Sequence, residues 1–209
     1  VRSAVRSAVF GAVPLRYAGY HCWRFVLHHD LPLRATVEMW GPGARFGIVP
    51  IAEGLAYCFA TQNGPPGGID GSPAQTIEHL RARFADFGGD VPALLAALDP
   101  SVPVLRDDLG DLQTIHLARG RVALIGDAAH AMTPNLGQGA GMALEDALVL
   151  ARCLRTGEDP ALALQSYADQ RAPRVRWVRD QSRRIGQIGQ LGAPALCWAR
   201  DQVARLTPA

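Results

Sequence analysis

Lysine is absent from this chain: basic residues number 21 and every one is arginine, against 19 acidic residues, for a formal net charge of +2. So small an imbalance excludes the strong field by which proteins gather nucleic acid or an anionic membrane surface. Cysteine is sparse. Cys22, Cys58, Cys153 and Cys197 are scattered without C-x-x-C spacing, so neither a zinc site nor a disulfide framework is indicated. Reduced thiols in a cytoplasmic protein are the expectation. There is no apolar run long enough to cross a bilayer, no signal-peptide pattern, no internal repeat and no low-complexity tract. The G-x-G-x-x-G dinucleotide fingerprint is missing too. Gly137, Gly139 and Gly141 have the wrong spacing and begin about ten residues after the preceding strand rather than in its first turn.

The chain does have a composition that folds, with 48% hydrophobic residues over a length of one sizeable or two small domains. Its most informative stretch is Arg121 to Leu154. Val122 to Ile125 is an unbroken apolar run, as expected of a strand buried on both faces in a parallel sheet. Gly126 and Asp127 end it, placing a carboxylate at the strand's carboxyl end, where open α/β sheets bind ligands. A loop with Pro134, Gly137 and Gly139 follows. Then Met142, Leu144, Leu148, Ala151 and Leu154 recur at helical spacing and predict one apolar helix face. Acid, glycine loop and helix N-terminus together suit a polar, electron-rich ligand. The acid accepts from hydroxyls, while free N–H groups and the helix dipole favour negative charge.

Elsewhere the pattern changes. Tyr17–Leu27, Ala35–Trp40, Arg45–Ile51 and Leu55–Thr61 are rich in aromatic and β-branched residues, with tight turns between them, and predict antiparallel strands. Ser72, Pro73 and the series Ile77, Leu80, Phe84, Phe87 predict a capped amphipathic helix, and Val91–Leu98 a second, shorter one. Val102–Arg106 reads as a strand, and Asp107, Asp108 and Asp111 as a solvated acidic turn. His28 and His29 beside a turn lack a third metal ligand at sensible spacing. Ala161–Arg184 predicts a helix with an apolar seam of Trp177, Val178, Ile185 and Ile188 and a solvated basic run that includes Arg171 and Arg174. A glycine-interrupted segment extends it to Leu206.

Gly126-Asp127-Ala128-Ala129-His130, Pro134, Gly137-Gln138-Gly139 and Glu145-Asp146 closely resemble the second flavin-binding motif of the single-component FAD-dependent aromatic hydroxylases, a family that includes salicylate and urate hydroxylases and the zeaxanthin epoxidases. Ser3 and Arg6 match the last two fixed positions of the family's D-G-x-x-S-x-x-R motif, which helps bind FAD and the nicotinamide cofactor. Gly19-Tyr20, Trp23-Arg24 and Phe46 to Pro50 match the wording of its substrate domain.

The resemblance implies an α/β fold of mixed α+β character: part of a doubly wound FAD-binding domain, an antiparallel-sheet substrate domain and C-terminal helices. It divides the chain into 1–13 (tail of the FAD-binding domain), 14–107 (substrate domain), 108–160 (returning FAD-binding segment) and 161–209 (helical region). The family's G-x-G-x-x-G, which receives the FAD pyrophosphate, would lie upstream of Val1. The implied activity is monooxygenation: NADH or NADPH reduces the flavin, dioxygen forms a flavin hydroperoxide, and one oxygen passes to an aromatic or alkene substrate.

By the same resemblance the cofactor-binding residues are Arg6, Gly126, Asp127, Pro134, Gly137, Gln138, Gly139 and Ala140. Asp127 would bond a ribityl hydroxyl, Pro134 would lie near the oxygen-reactive carbon, and Gly137 and Gly139 would face the pyrimidine edge. His130 either approaches the cofactor or is structural, and Glu145 and Asp146 read as solvated or ion-paired. Trp23, Arg24, Tyr57 and Phe59 are substrate-pocket candidates, although strand aromatics commonly serve packing and Arg24 could pair with Glu38. Two other readings remain open: an inactive structural or binding fragment, and a flavoprotein reductase that does not hydroxylate. A halogenase would be expected to carry a lysine near its active site, and this chain has none.

Overall fold

The structure, a computed structural model, describes residues 1–157 and 159–206. It divides into two compact units, one formed by Val1–Ala18 with Gly110–Gln187 and the other by Gly19–Leu109 with the residues from Ile188 onward. The C-terminal stretch expected as one helical region is therefore shared between the units.

In the first unit, α1 (Ala4–Phe10) is capped by Ser3. Strand β1 (Leu15–His28) crosses into the second unit, where β2 (Val37–Gly41), β3 (Ala44–Ala52) and β4 (Leu55–Asn63) follow as short antiparallel neighbours. Helices α2 (Pro73–Arg83) and α3 (Val91–Ala97) come next, then β5 (Leu105–Leu112), which completes a sheet of order β2-β3-β4-β1-β5. The four strands predicted between Tyr17 and Thr61 and both predicted helices are present, whereas the strand expected over Val102–Arg106 begins only at Leu105 and runs on to Leu112.

Side chains alternate across the sheet with period two. Trp23, Phe25 and Leu27 of β1 share a face with Ala56, Cys58 and Ala60 of β4 and with Phe46 and Ile48 of β3. This face packs against Ile77, Leu80, Phe84, Leu94 and Leu98, and Phe46 and Phe84 meet edge to face at 5.4 Å between ring centroids. Helix α2 starts where predicted because Ser72 and Gln75 form a reciprocal capping box and Pro73 occupies the first turn, where no N–H is needed. The thiols of Cys22 and Cys58 are pushed up by burial, to about 11 and about 12, and stay protonated.

In the first unit the chain continues through β6 (Ala118–Arg119), β7 (Val122–Ala123), α4 (Asp127–His130), a 3-10 turn (Pro134–Leu136), α5 (Gly139–Thr156) and α6 (Pro160–Gly189), which ends in the second unit. Helix α7 (Pro194–Leu206) is the last described element. The apolar run Val122–Ile125 gives only a two-residue strand, paired antiparallel with β6, and Ile125 is 40% exposed. Of the run, Leu124 is the residue that reaches the core, alongside Leu117, Ala129 and Tyr167.

Two helix faces differ from expectation, and for one reason. In α5, Leu144 and Leu148 are each 73% exposed, while Met142, Asp146 and Cys153 are buried. In α6, Trp177 and Ile188 of the expected seam are exposed and Ile185 is half-buried, while Val178 is buried as expected, together with Arg171, Val175 and Ser182. Each helix turns inward the stripe that carries one charged residue, because Asp146 and Arg171 satisfy one another. Neither charge is buried alone, so the cost of taking it out of water is offset by its partner.

The acidic group is also placed differently. Asp107, Asp108 and Asp111 lie on β5, not in a solvated turn, and each has an arginine partner. Arg24 pairs with Asp107, whereas Glu38 pairs with Arg45 across β2 and β3. Asp111 is fully buried. It accepts two hydrogen bonds of 2.9 Å from Arg16 and longer contacts of 3.4 Å from Arg183. Replacing Asp111 with alanine should cost about 2–3 kcal/mol, near the top of the range for a charge-assisted hydrogen bond because two guanidiniums lose their acceptor. Urea unfolding would measure it; a loss within ~0.5 kcal/mol, the ordinary surface value, would show that the cluster is ornamental to stability.

Candidate cofactor site

The site forms around the turn at Gly126. This residue has φ +54° and ψ −142°, a conformation costly for any residue with a Cβ, and an added Cβ would stand 3.1 Å from Ala143 Cβ. Its carbonyl accepts from Ala129 N at 2.9 Å and His130 N at 3.0 Å, closing the single helical turn α4. Its N–H donates to Asp146 Oδ2 at 2.9 Å. Asp127 therefore stands at the start of α4, exposed, and its carboxylate accepts no hydrogen bond from the described residues.

Arg6 reaches this turn from the far end of the sequence. The Ser3 hydroxyl accepts from Arg6 N at 3.1 Å, and the capped helix α1 aims the arginine inward. Arg6 Nη1 donates to Ala128 O at 2.8 Å and Asp127 O at 3.4 Å. The side chain is almost wholly buried, yet its Nε–H has no partner among the described residues. A buried guanidinium N–H without an acceptor is rare in folded proteins and marks this turn as a candidate functional position.

Beyond α4, the chain passes through Thr133 and Pro134 to the N-terminus of α5. Ser182 Oγ donates to Thr133 O at 2.5 Å, and Asn135 Nδ2 donates to Ser182 O at 2.8 Å, so the loop is pinned to α6 from both sides of Pro134. Pro134 itself is exposed. Gly137 adopts the left-handed conformation at φ +62°, and neither Gly137 nor Gly139 has a heavy atom within 4 Å of where a Cβ would be. Gln138 occupies the N-cap position without capping, so the first amides of this 18-residue helix are open. Together with exposed Ala140, they offer backbone donors and the positive end of a helix dipole to an approaching ligand.

Beneath this surface is a buried charge network. Asp146 is fully buried; its Oδ2 also accepts from His130 Nε2 at 2.6 Å, and its Oδ1 from Arg171 Nε at 2.7 Å. Burial alone would raise the Asp146 pKa, but bonds from His130, Gly126 and Arg171 outweigh it and hold the carboxyl below its ordinary range. Arg171 also donates to Glu145 at 2.6 Å and to Met142 O at 3.3 Å. Glu145 is gripped by Arg174 through two bonds of 2.7 Å and by Arg171, and its carboxyl is lowered to about 2. His130, 1% exposed, donates from Nε2 to Asp146, while its buried Nδ1 has no partner among the described residues.

Sequence reading missed Arg171 and underrated Asp146. The signal was present: Met142, Asp146, Val149 and Cys153, like Arg171, Val175, Val178 and Ser182, are helical stripes each interrupted by one charge of opposite sign.

The substrate candidates separate by face. Arg24 lies opposite Phe59, and Tyr57 opposite Val26, on the side of the sheet away from α2 and α3. Tyr57 and Phe59 are half-buried with ring centroids 6.3 Å apart, and Phe59 lies over Gly47, where any Cβ would collide with the ring. Trp23 is on the opposite face, 2% exposed, and its indole N–H donates to Asp70 at 2.8 Å.

Residues 106–182 match the family model described as "FAD binding domain". The chain is a relative of the FAD-dependent hydroxylases and epoxidases. It is 43% identical over 209 residues to the aurachin C monooxygenase/isomerase of Stigmatella aurantiaca, covering 99% of this chain and 54% of that protein. It is 42% identical over 215 residues to a 2-heptyl-3-hydroxy-4(1H)-quinolone synthase of Pseudomonas aeruginosa, covering 100% of this chain and 55% of that one. Among solved structures, Klebsiella pneumoniae HpxO complexed with FAD and uric acid superposes with a TM-score of 0.88 at 35% identity, over 98% of this chain and 54% of HpxO. The chain spans about half the length of each. The mixed α/β class and the flavoprotein resemblance read from the sequence are both upheld.

Removing one member of a buried, hydrogen-bonded charge pair costs ~3–5 kcal/mol, and Asp146→Ala should fall in that range. The pH dependence has a definite sign. Asp146 is depressed in the folded state, so its contribution is complete above the unfolded carboxyl value of ~3.9 and disappears as pH falls through the folded value. The stability gap between wild type and Asp146→Ala should therefore be constant from neutral pH to about pH 5 and shrink below about pH 4. Urea titrations at stepped pH would read this; a gap that widens in acid would refute the assignment.

Proposed function

We propose that this chain contributes the second half of an FAD site to a monooxygenase that uses NADH or NADPH and dioxygen to hydroxylate or epoxidise a small aromatic or alkene molecule. The observation that carries the reading is the Arg6 grip on the Asp127–Ala128 backbone. It joins two motifs 121 and 122 residues apart at one turn, leaving the Asp127 carboxylate and the α5 amides free.

The residues fit the cofactor. Bound FAD would supply hydride acceptance and dioxygen activation, chemistry that no side chain of this chain can perform. Asp127 would accept from a ribityl hydroxyl, and Arg6 Nε would donate to an electron-rich oxygen of the cofactor. Pro134, Gly137, Gln138, Gly139 and Ala140 would present backbone and helix dipole to the isoalloxazine, favouring its anionic reduced form. Gly126 supplies the turn that holds Asp127 in place. Arg24, Tyr57 and Phe59 are the favoured substrate contacts, two aromatic rings and a cation on one sheet face. Two of the relatives are named for aurachin C and a 4(1H)-quinolone, which favours a fused nitrogen heteroaromatic as substrate. A cytoplasmic location is part of the proposal: all four thiols are free and buried, and among the described residues no helix is long and apolar enough to cross a membrane.

The test is FAD titration followed by flavin fluorescence. Binding should be weak, since the chain contains no G-x-G-x-x-G to hold the pyrophosphate. Asp127→Ala and Arg6→Ala should each weaken it at least ~10-fold, the effect of losing about 1.4 kcal/mol from one hydrogen-bonding group. Equal FAD affinity in wild type and both variants would overturn the site. With FAD loaded, incorporation of labelled oxygen into a quinolone or phenol would mark a hydroxylase, and substrate-independent NAD(P)H oxidation without incorporation a reductase.

A further inference from the structure

The second unit holds a cavity of about 330 Å³ on the α2-facing side of the sheet, the face opposite Arg24, Tyr57 and Phe59. None of the residues assigned to the flavin site lines it. Its floor is Trp23, whose indole N–H is held by Asp70, and its walls include His21, Gln62, His79 and Arg106. The size is at the lower end for small-molecule sites.

The cavity is built rather than incidental. The loop that covers it is tied down by Trp23 to Asp70, by Arg106 to Gly68 O and Asp70, and by Gly67 N to Asp108 at 2.5 Å. At Gly68 a Cβ would come within 2.6 Å of Arg106 Nη2, so the glycine makes room for the guanidinium. The His21 ring meets Trp23 edge to face at 4.6 Å, and Trp23 meets His79 at 5.2 Å, giving a partly aromatic wall.

His21 is the unexplained group. It is 8% exposed, its Nδ1 is buried without a partner, and its Nε2 makes no hydrogen bond to any described residue. Burial and the neighbouring Arg106 charge lower its pKa, against smaller opposing effects from Asp108 and Asp70. The imidazole is thus neutral and carries one donor and one acceptor. Gln62 spends its carbonyl oxygen on His79 Nε2 at 3.0 Å, leaving its amide N–H groups to donate. Asp70 Oδ1 has only a 3.5 Å contact with Arg106 and retains acceptor capacity.

The geometry points to a second small-molecule site here, separate from the substrate face, for a planar heteroaromatic lactam. The ring packs along the exposed His79 imidazole, its N–H is read by Asp70 or His21, and its C=O by the Gln62 amide. A hydrocarbon ring would leave these groups unpaired, and a strong anion would face the Asp70 carboxylate; an adjacent donor and acceptor on a flat ring satisfies the set.

The experiment is an NMR titration of the whole chain with hypoxanthine, and with purine as the same ring system lacking the lactam. It follows the Trp23 indole N–H and the imidazole signals of His21 and His79. Hypoxanthine should give saturable shifts at all three, and purine should bind at least tenfold more weakly. His21→Phe should weaken hypoxanthine by tenfold or more; since His21 is buried, the exposed His79→Ala provides a variant whose folding is not threatened, and it should weaken binding as well. Absence of saturable shifts, equal response to both probes, or undiminished binding in a folded His79→Ala protein would each overturn the site and leave His21 as a water-bound core histidine.

Discussion

One carboxylate holds the first unit's turn at Gly126 in place. Asp146 spends one oxygen on Arg171 and the other on both His130 and the Gly126 amide, so a strand end, a helical turn and two long helices meet at a single buried charge. The energetic logic is asymmetric. Such a network adds less to stability than an apolar replacement of equal shape, but no member can be removed alone without stranding the others. What the arrangement yields is position. Gly126 is fixed in a conformation few residues tolerate, and the carboxylate that follows it is left outside, unpaired.

The division of labour between neighbouring acids follows from this. Asp127 and Asp146 flank the same glycine in space. The buried one is compensated by three donors, while the exposed one is free to meet a ligand hydroxyl. Arginine suits the compensating role because its planar fork satisfies several acceptors at once. Arg171 bonds Asp146, Glu145 and the Met142 carbonyl together, and Arg6 spans two successive carbonyls of the turn. A chain with no lysine has, at these positions, the residue the geometry requires.

The sheet and its covering helices were legible because local rules agreed there: β-branched and aromatic strands, tight turns, and a capping box ahead of a regular apolar series. The flavin motif was legible because its glycines and acid sit at fixed spacing. What could not be read locally was the inward face of α5 and α6. Leu144, Leu148, Trp177 and Ile188 looked like core by hydrophobicity, and only a partner on another helix explains why Asp146 and Arg171 went inside instead. The same holds for β5, where Asp107 and Asp111 look like part of a turn until Arg24 and Arg16 are brought to them by topology. Charge pairing across long sequence separations is the term that periodicity omits.

The chain's threading has a consequence for how the molecule is made. Within the second unit, β2, β3 and β4 are joined as adjacent hairpins whose contacts are local in sequence and form early, while β1 pairs with β4 across the whole of β2 and β3. The first unit is assembled from two pieces with the whole of Gly19–Leu109 between them, and Arg6 must wait for Ala128, and Asp146 for Arg171, before either is satisfied. During synthesis α1 emerges long before its acceptors. Its buried arginine is then an exposed, solvated side chain on a short helix, and the Gly126 turn gains its full set of partners only when α6 has left the ribosome.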